Sequence, residues 1–298
     1  MNKTYIKVAL ALLSVAGYMQ NVIFASETAK KCCTKNAALR DRIPKIIEQY
    51  KNEINEDKDE ASAAYHYTRK SISLLESLSL VDVHDYSVYS TENEHKIYNK
   101  KIGNMDIGRL DFTIPSASKY SEVYRQYWDF KYEKNADEKI INGNVVRLYC
   151  KNYVLFEKHN PDPNYTPLKK VYTLGARHWY TEATVILSPS RALDYDGEIN
   201  KNTKLKEVYE NQKPIELDID PEEALVKLAD NLSGFVIKKG DDDQVHVTYI
   251  NAIYDAGNST ETAQNIRQRD HEYKKILKLA QHIISNECQC SNDGVSTF

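Results

Sequence analysis

Two β-rich runs near the C-terminus flank a glycine and three aspartates: Ser233-Gly-Phe-Val-Ile-Lys-Lys, then Gly240-Asp-Asp-Asp, then Gln244-Val-His-Val-Thr-Tyr-Ile-Asn-Ala-Ile-Tyr-Asp-Ala-Gly257. Short β-branched and aromatic runs joined by a polar turn read as an antiparallel hairpin. Directly after it, Ser259 to Ile284 carries a helical period. At 1.5 Å per residue, such a helix is ~39 Å long. Its apolar stripe must be buried, and a sheet with one open face is the surface at hand.

The preceding chain supplies that sheet. Residues 60–79 repeat a helical pattern through Ala61, Ala64, Tyr65, Thr68, Ile72, Leu75 and Leu78. From Tyr86 the period becomes two. Lys96 to Ile102 and Ile107 to Ile114 read as strands joined at Gly103-Asn104, and a helix is expected over Ala117 to Asp129. Lys139 to Ile141 and Val145 to Phe156 are expected to pair across Asn142-Gly143-Asn144, and Val171 to Trp179 with Ala183 to Leu187. A short helix is expected over Pro221 to Leu232, and Pro161 to Pro167 reads as a loop. Consecutive hairpin-joined strands argue for an antiparallel sheet. Residues 37–55 carry a further helical period interrupted by Pro44.

The N-terminus reads as a secretory signal: Lys3 and Lys7, an apolar stretch Val8 to Ala16, and a cleavage end at Ala25. The apolar run is short for a membrane span. Cleavage removes two lysines and no acid, so the net charge moves from −3 to −5. That acidic balance argues against a nucleic-acid partner. Five cysteines remain, as the pair Cys32 and Cys33, the singleton Cys150, and Cys288 with Cys290. In a secreted chain, disulfides between 32/33 and 288/290 would tie the two ends together. A four-thiol metal site lacks the usual Cys-x-x-Cys spacing. Cys150 reads as a small buried apolar residue.

The hairpin followed by one long C-terminal helix resembles the end of a StAR-related lipid transfer (START) domain. Ser233 to Ile237, Val247 to Ile250 and Asp255 to Gly257 carry the resemblance. It extends over residues 60–285, through Tyr86-Ser-Val-Tyr-Ser-Thr-Glu-Asn, Gly108-Arg-Leu-Asp-Phe-Thr-Ile-Pro and Tyr127-Trp-Asp. With Leu10-Ala-Leu-Leu-Ser-Val-Ala-Gly-Tyr-Met-Gln-Asn-Val in the signal region, the chain is similar to the Plasmodium fam-a multigene proteins, which carry a START-like domain. It departs from START domains at Asn258-Ser-Thr-Glu, where a glycine and a proline usually precede the last helix, and lacks their Arg-Asp-Phe strand signature near Lys169-Lys170-Val171. The export pentamer is not visible near the N-terminus.

The resemblance implies an α+β helix-grip START-like fold, a curved antiparallel sheet around the last helix with N-terminal helices. The domains would be a signal peptide 1–25, an appendage 26–59, a lipid-binding domain 60–286 and a Cys-containing tail 287–298. It implies a secreted or exported protein, in the parasitophorous vacuole or host cell, that carries a phospholipid such as phosphatidylcholine during transient membrane contact. The alternative is an exported interaction protein that keeps the fold with its cavity filled. Large aromatics at inward strand positions would favour filling. There is no Gly-x-Ser-x-Gly, phosphate loop, His-Glu-x-x-His or dinucleotide glycine pattern, so neither catalysis nor a cofactor is expected.

Candidate ligand contacts follow from the helix and strand periods. On the last helix Arg269, Asp270, Tyr273 and Leu277 fall on or beside the apolar line. A charge in such a stripe must be paired or wet. Arg269 could meet a lipid phosphate, with Asp270 or Tyr273 at a quaternary ammonium; the other reading is a solvated first half of the helix. Arg177 and Trp179 point one way along a strand and His178 the other. That pair is either a phosphate site or a surface cation–π contact. Tyr249, in the Val-Thr-Tyr run, is the remaining candidate. The three aspartates of the turn could hold a cation but read more simply as a solvated turn.

Overall fold

The computed structural model describes residues 48–92, 95–130, 139–159 and 170–290. The signal stretch, Cys32, Cys33, most of the 37–55 pattern and the loop Pro161 to Pro167 lie outside the described residues, as do the side chains of Cys288 and Cys290.

The described chain runs α1 (Lys58–Ser79), β1 (Ser87–Glu92), β2 (His95–Ile102), β3 (Met105–Pro115), α2 (Tyr120–Tyr127), β4 (Asn144–Cys150), β5 (Tyr153–His159), β6 (Lys170–Trp179), β7 (Ala183–Leu187), α3 (Lys206–Glu210), α4 (Pro221–Leu228), β8 (Leu232–Lys239), β9 (Gln244–Tyr254) and α5 (Ser259–Cys290). The strands form one nine-stranded sheet in the order β1-β2-β3-β9-β8-β7-β6-β5-β4, antiparallel throughout. This is the expected α+β arrangement, a curved antiparallel sheet with helices before it and a long helix at its end.

Most neighbours in the sheet are neighbours in sequence. The exception is β3 with β9, an unbroken ladder from Met105↔Tyr254 to Pro115↔Gln244. Beyond β4, Leu148 exchanges backbone bonds with Glu53 and Asn55, which covers that edge.

Local signals set the helix starts. Asp57 accepts from the amides of Asp59 and Glu60 to cap α1. Asp220 does the same for α4, with Pro221 in the first turn. The chain differs from expectation at three places. Val145 to Phe156 is not one strand; it folds back at Lys151-Asn152 into the β4–β5 hairpin. The Arg177 backbone amide donates to the Asn152 carbonyl at this turn. Lys139 to Ile141 forms no strand, and Ile141 is instead a buried plug. The helix expected over Pro221 to Leu232 stops at Leu228, where Ala229 turns left-handed with φ 51° and Leu232 opens β8.

Alternation gives the sheet two working faces. One carries Leu110, Phe112, Phe235, Tyr249 and Arg177 toward α5 and α2. The other carries Arg109, Gly234, His178 and Tyr153 toward α1. Gly234 lies where a Cβ would stand 2.3 Å from the Ile186 carbonyl oxygen and 2.6 Å from Leu75 Cδ1. That close approach of α1 to the sheet explains the glycine in Ser233-Gly-Phe-Val-Ile.

Candidate functional site

A cleft of about 430 Å³ opens between the first half of α5 and the sheet. Its helix side is Glu261, Asn265, Gln268, Arg269 and Glu272; its sheet side includes Glu157, Lys158, Thr173, Ser233, Tyr249 and Asn251. Ser188, Pro189, Ser190 and Ala192 wall one end, and residues 140 and 142–144 border another.

Two charged groups dominate it. Glu272 is held in place by its neighbours: Tyr249 donates its hydroxyl at 2.5 Å and Asn251 its amide at 3.1 Å to one oxygen, and Gln268 donates to the other at 3.1 Å. Burial, then the Glu272 carboxylate, raises the Tyr249 phenol well above its ordinary range. Lys158 donates to the carbonyl of Pro189. Burial lowers its ammonium pKa, and Glu272 partly offsets this. The cleft therefore offers a cation short of full hydration opposite an oriented carboxylate.

Beyond the cleft, aromatic rings pack along the inner face. Ring centroids follow one another from Phe112 to Tyr127 at 6.5 Å, to Phe235 at 5.0 Å, to Tyr249 at 4.6 Å and to Tyr273 at 5.9 Å. Trp128, Phe130 and Phe156 continue the packing at 5.3 and 5.7 Å. The Tyr127 hydroxyl donates to the Ile276 carbonyl at 3.0 Å and locks α2 to α5. The long helix thus roofs a cleft along its first half and a packed core along its second.

The structure divides the residues singled out in the sequence. Tyr249 and Arg269 line the cleft; Asp270, Tyr273, Leu277, Arg177 and Trp179 do not. Arg269 is only 2% exposed and pairs with Asp106 at 2.8 Å rather than with Asp270. It also donates to the carbonyls of Asp106 and Asn251, while its Nε has no partner. A solvated first half of the helix is thus incorrect for this residue. Asp270 accepts from Tyr89 at 3.1 Å. Tyr273 and Leu277 are core residues. Tyr273 has room because Gly108 lacks a side chain: a Cβ there would stand 2.1 Å from its hydroxyl.

Arg177 and Trp179 do share a face, with the guanidinium 4.6 Å from the Trp179 ring; the arginine is buried and the tryptophan ring exposed. Cys150 is a buried cysteine at the end of β4. The aspartates of the last hairpin serve the turn. Asp242 accepts from His246 and from the Gln244 amide, and Asp243 from the Ala117 amide. Among the described residues no group of acids, histidines and cysteines is placed to hold a metal ion.

Lys158 and Glu272 escaped the sequence reading. The first was legible: Val154, Phe156 and Lys158 alternate onto one face, so a lysine closes an apolar strand face. Glu272 sits among the polar residues of α5, and only the packing against Tyr249 singles it out.

His178 faces α1 beside Tyr65 and Tyr153. Burial, then the Arg69 charge, lowers its pKa below the ordinary 6.5. The unfolded chain therefore takes up this proton more readily than the fold. Stability is expected to drop as pH falls through about 6.5 toward the depressed folded value. Denaturant midpoints at about pH 7.5 and 5.5 check this, and His178→Gln should shrink the difference between them.

No protein-family model matches the sequence, and no curated protein matches it. Among solved structures the chain is similar to human StAR-related lipid transfer protein 5, with 7% identity over 74% of this chain and 97% of that one, and a TM-score of 0.45. Human STARD10 aligns over 68% of this chain and 77% of its own at 14% identity, with a TM-score of 0.34. The lipid transfer and protein localization domain of human StarD13 (DLC2) aligns over 70% and 93% at 10% identity, with a TM-score of 0.34. Among the described residues no helix is long and apolar enough to cross a membrane.

Proposed function

We propose that this protein binds and transfers a lipid, taking the zwitterionic end of a phospholipid such as phosphatidylcholine into the cleft under α5. One observation carries the reading: Lys158 and the oriented Tyr249–Glu272 pair face one cleft. An ammonium meets a phosphate as a point charge, and a carboxylate beside an aromatic ring suits a quaternary ammonium. The START resemblance of the hairpin and last helix supports the same assignment, and the signal-like N-terminus supports secretion or export as a fam-a protein. No catalytic step is part of the proposal.

The lipid chains need more than the cleft. About 30 methylenes, each worth ~0.8 kcal/mol against water, must be kept dry. A 430 Å³ cleft matches a head group and the start of a chain. Loading therefore requires the first half of α5 to swing away from the sheet while its second half stays locked through Tyr127.

A second reading, an exported interaction protein with the same fold, is favoured by the aromatic filling of the inner face. Transfer of fluorescent phosphatidylcholine between vesicles separates the two. The unmodified protein should accelerate transfer. Lys158→Met should cut the rate by about tenfold, the scale of one lost charged contact, with an unchanged melting temperature. A folded protein that moves no phospholipid and carries none in native mass spectrometry establishes the interaction reading instead.

A further inference from the structure

Arg177 lies outside the lipid cleft and poses a separate problem. Its side chain is 92% buried by the residue's 8% exposure. Its guanidinium is surrounded by rings: Trp179 at 4.6 Å, Tyr124 at 5.5 Å and Trp128 at 5.9 Å from the centroids. One nitrogen, Nη2, donates to Asn152 Oδ1 at 3.1 Å; Nε is buried without a partner. Among the described residues no carboxylate lies within ion-pair distance of it. Among the described residues, the Tyr124 phenol and the Cys150 thiol act to raise its pKa and the Arg125 charge acts to lower it; Arg125 is held on its own helix by the carbonyl and hydroxyl of Ser121.

A buried cation with no counter-charge is costly, and folded proteins rarely tolerate one. Burial lowers the pKa of this arginine to about 10, which still leaves it charged at neutral pH. The other buried arginines among the described residues show what a structural role looks like here: Arg109 has Asp111, Arg147 has Glu60, Arg191 has Asp230 and Arg269 has Asp106. Arg177 is 8% exposed, as Arg109 is, and among the described residues has no acid within ion-pair distance. Its rings fix the guanidinium plane without neutralising it, and Arg125 raises the local potential further.

We propose that Arg177, with Arg125 beside it, is a binding site for a phosphate group, built into the aromatic cage of Tyr124, Trp128 and Trp179. Arginine forks match phosphate oxygens with two parallel bonds, and the unpartnered Nε belongs to that fork. The phosphate is either a free anion or the head group of an anionic lipid at a bilayer surface. Trp179, 40% exposed, is the wall of the cage that reaches the surface.

The chain's two tryptophans, Trp128 and Trp179, are both walls of this cage, so tryptophan emission, excited selectively over the 22 tyrosines, reports on the site. Titration of the full chain with sodium phosphate, against sodium chloride at matched ionic strength, should shift the emission saturably and raise the melting temperature. Arg125→Ala should weaken this binding by about tenfold, and Lys158→Met in the lipid cleft should leave it unchanged. Arg177→Met should melt at or above the unmodified protein without phosphate and show no phosphate response, because it removes an uncompensated charge. If phosphate alone gives no response but vesicles containing phosphatidic acid bind, and Arg177→Met abolishes that binding, the head group is the source. A response to neither ligand overturns the site, as does one that persists in Arg177→Met. So does a large fall in melting temperature for Arg177→Met without phosphate, since the arginine would then be a structural group. None of these outcomes depends on phosphatidylcholine transfer, so this site and the proposed function fail separately.

Discussion

Glu60→Ala is expected to lower the unfolding free energy by about 3–5 kcal/mol, the usual cost of removing one partner of a buried ion pair. Glu60 and Arg147 are 2% and 4% exposed and pair directly. The same carboxylate accepts from Tyr149 at 2.7 Å, from the Leu205 amide at 3.0 Å and from Asn55 at 3.0 Å. It thereby ties the start of α1 to β4 and to the chain entering α3. Its loss leaves the Arg147 guanidinium without its counter-charge and the Leu205 amide without its acceptor in a dry interior, while Tyr149 keeps Tyr209. Denaturant unfolding should show a lower midpoint with an unchanged slope. Glu60→Gln keeps most of the hydrogen bonds and should cost less. Glu60→Leu combined with Arg147→Met should recover part of the loss, since a buried pair is often replaceable by well-packed apolar residues. A single Glu60→Ala change worth under about 1 kcal/mol would contradict this account, placing the pair on the scale of exposed ones.

Leu277→Glu is expected to prevent stable folding. The heptad line of α5 makes Leu277 look like a pocket lining, but it is 1% exposed and packs in the core beyond the cleft. A carboxylate there costs several kcal/mol without a partner or water. Leu277→Ala should already cost about 2–5 kcal/mol. Lys278, one residue along and exposed, should tolerate Glu within about 0.5 kcal/mol. Circular dichroism melts of the three variants check the order. Normal melting by Leu277→Glu would mean that water or ligand reaches this part of the helix and that the second half of α5 also lines a cavity.

The candidate site was only partly legible because burial on a helix stripe has two meanings. Arg269, Tyr273 and Leu277 share one apolar line, and the sequence cannot say where a cavity ends and a core begins. The answer depends on what stands opposite. Gly108 leaves room for Tyr273, Asp106 neutralises Arg269, and Phe235 and Tyr127 fill the space further along. Each of these partners is more than 30 residues away in sequence. Arg177 shows the same limit. Alternation placed it beside Trp179, but Tyr124 and Trp128 join the cage only when α2 packs on the sheet.

What the sequence determined by itself is local. The period-two runs and their turns specified the antiparallel hairpins, including β6–β7 and β8–β9. The apolar stripe specified α1, Pro221 marked the start of α4, and the helical period after Ser259 specified α5. These depend on contacts within a few residues, where propensity and alternation act directly. Tertiary structure alone decided the pairing of β3 with β9, which closes the sheet across more than a hundred residues. It also decided the break of the Val145–Phe156 run at Asn152 and the confinement of the cleft to the first half of α5. The physical reason is that edge complementarity, ring packing and charge neutralisation are pairwise properties of distant segments, and no single stretch of chain carries both members of the pair.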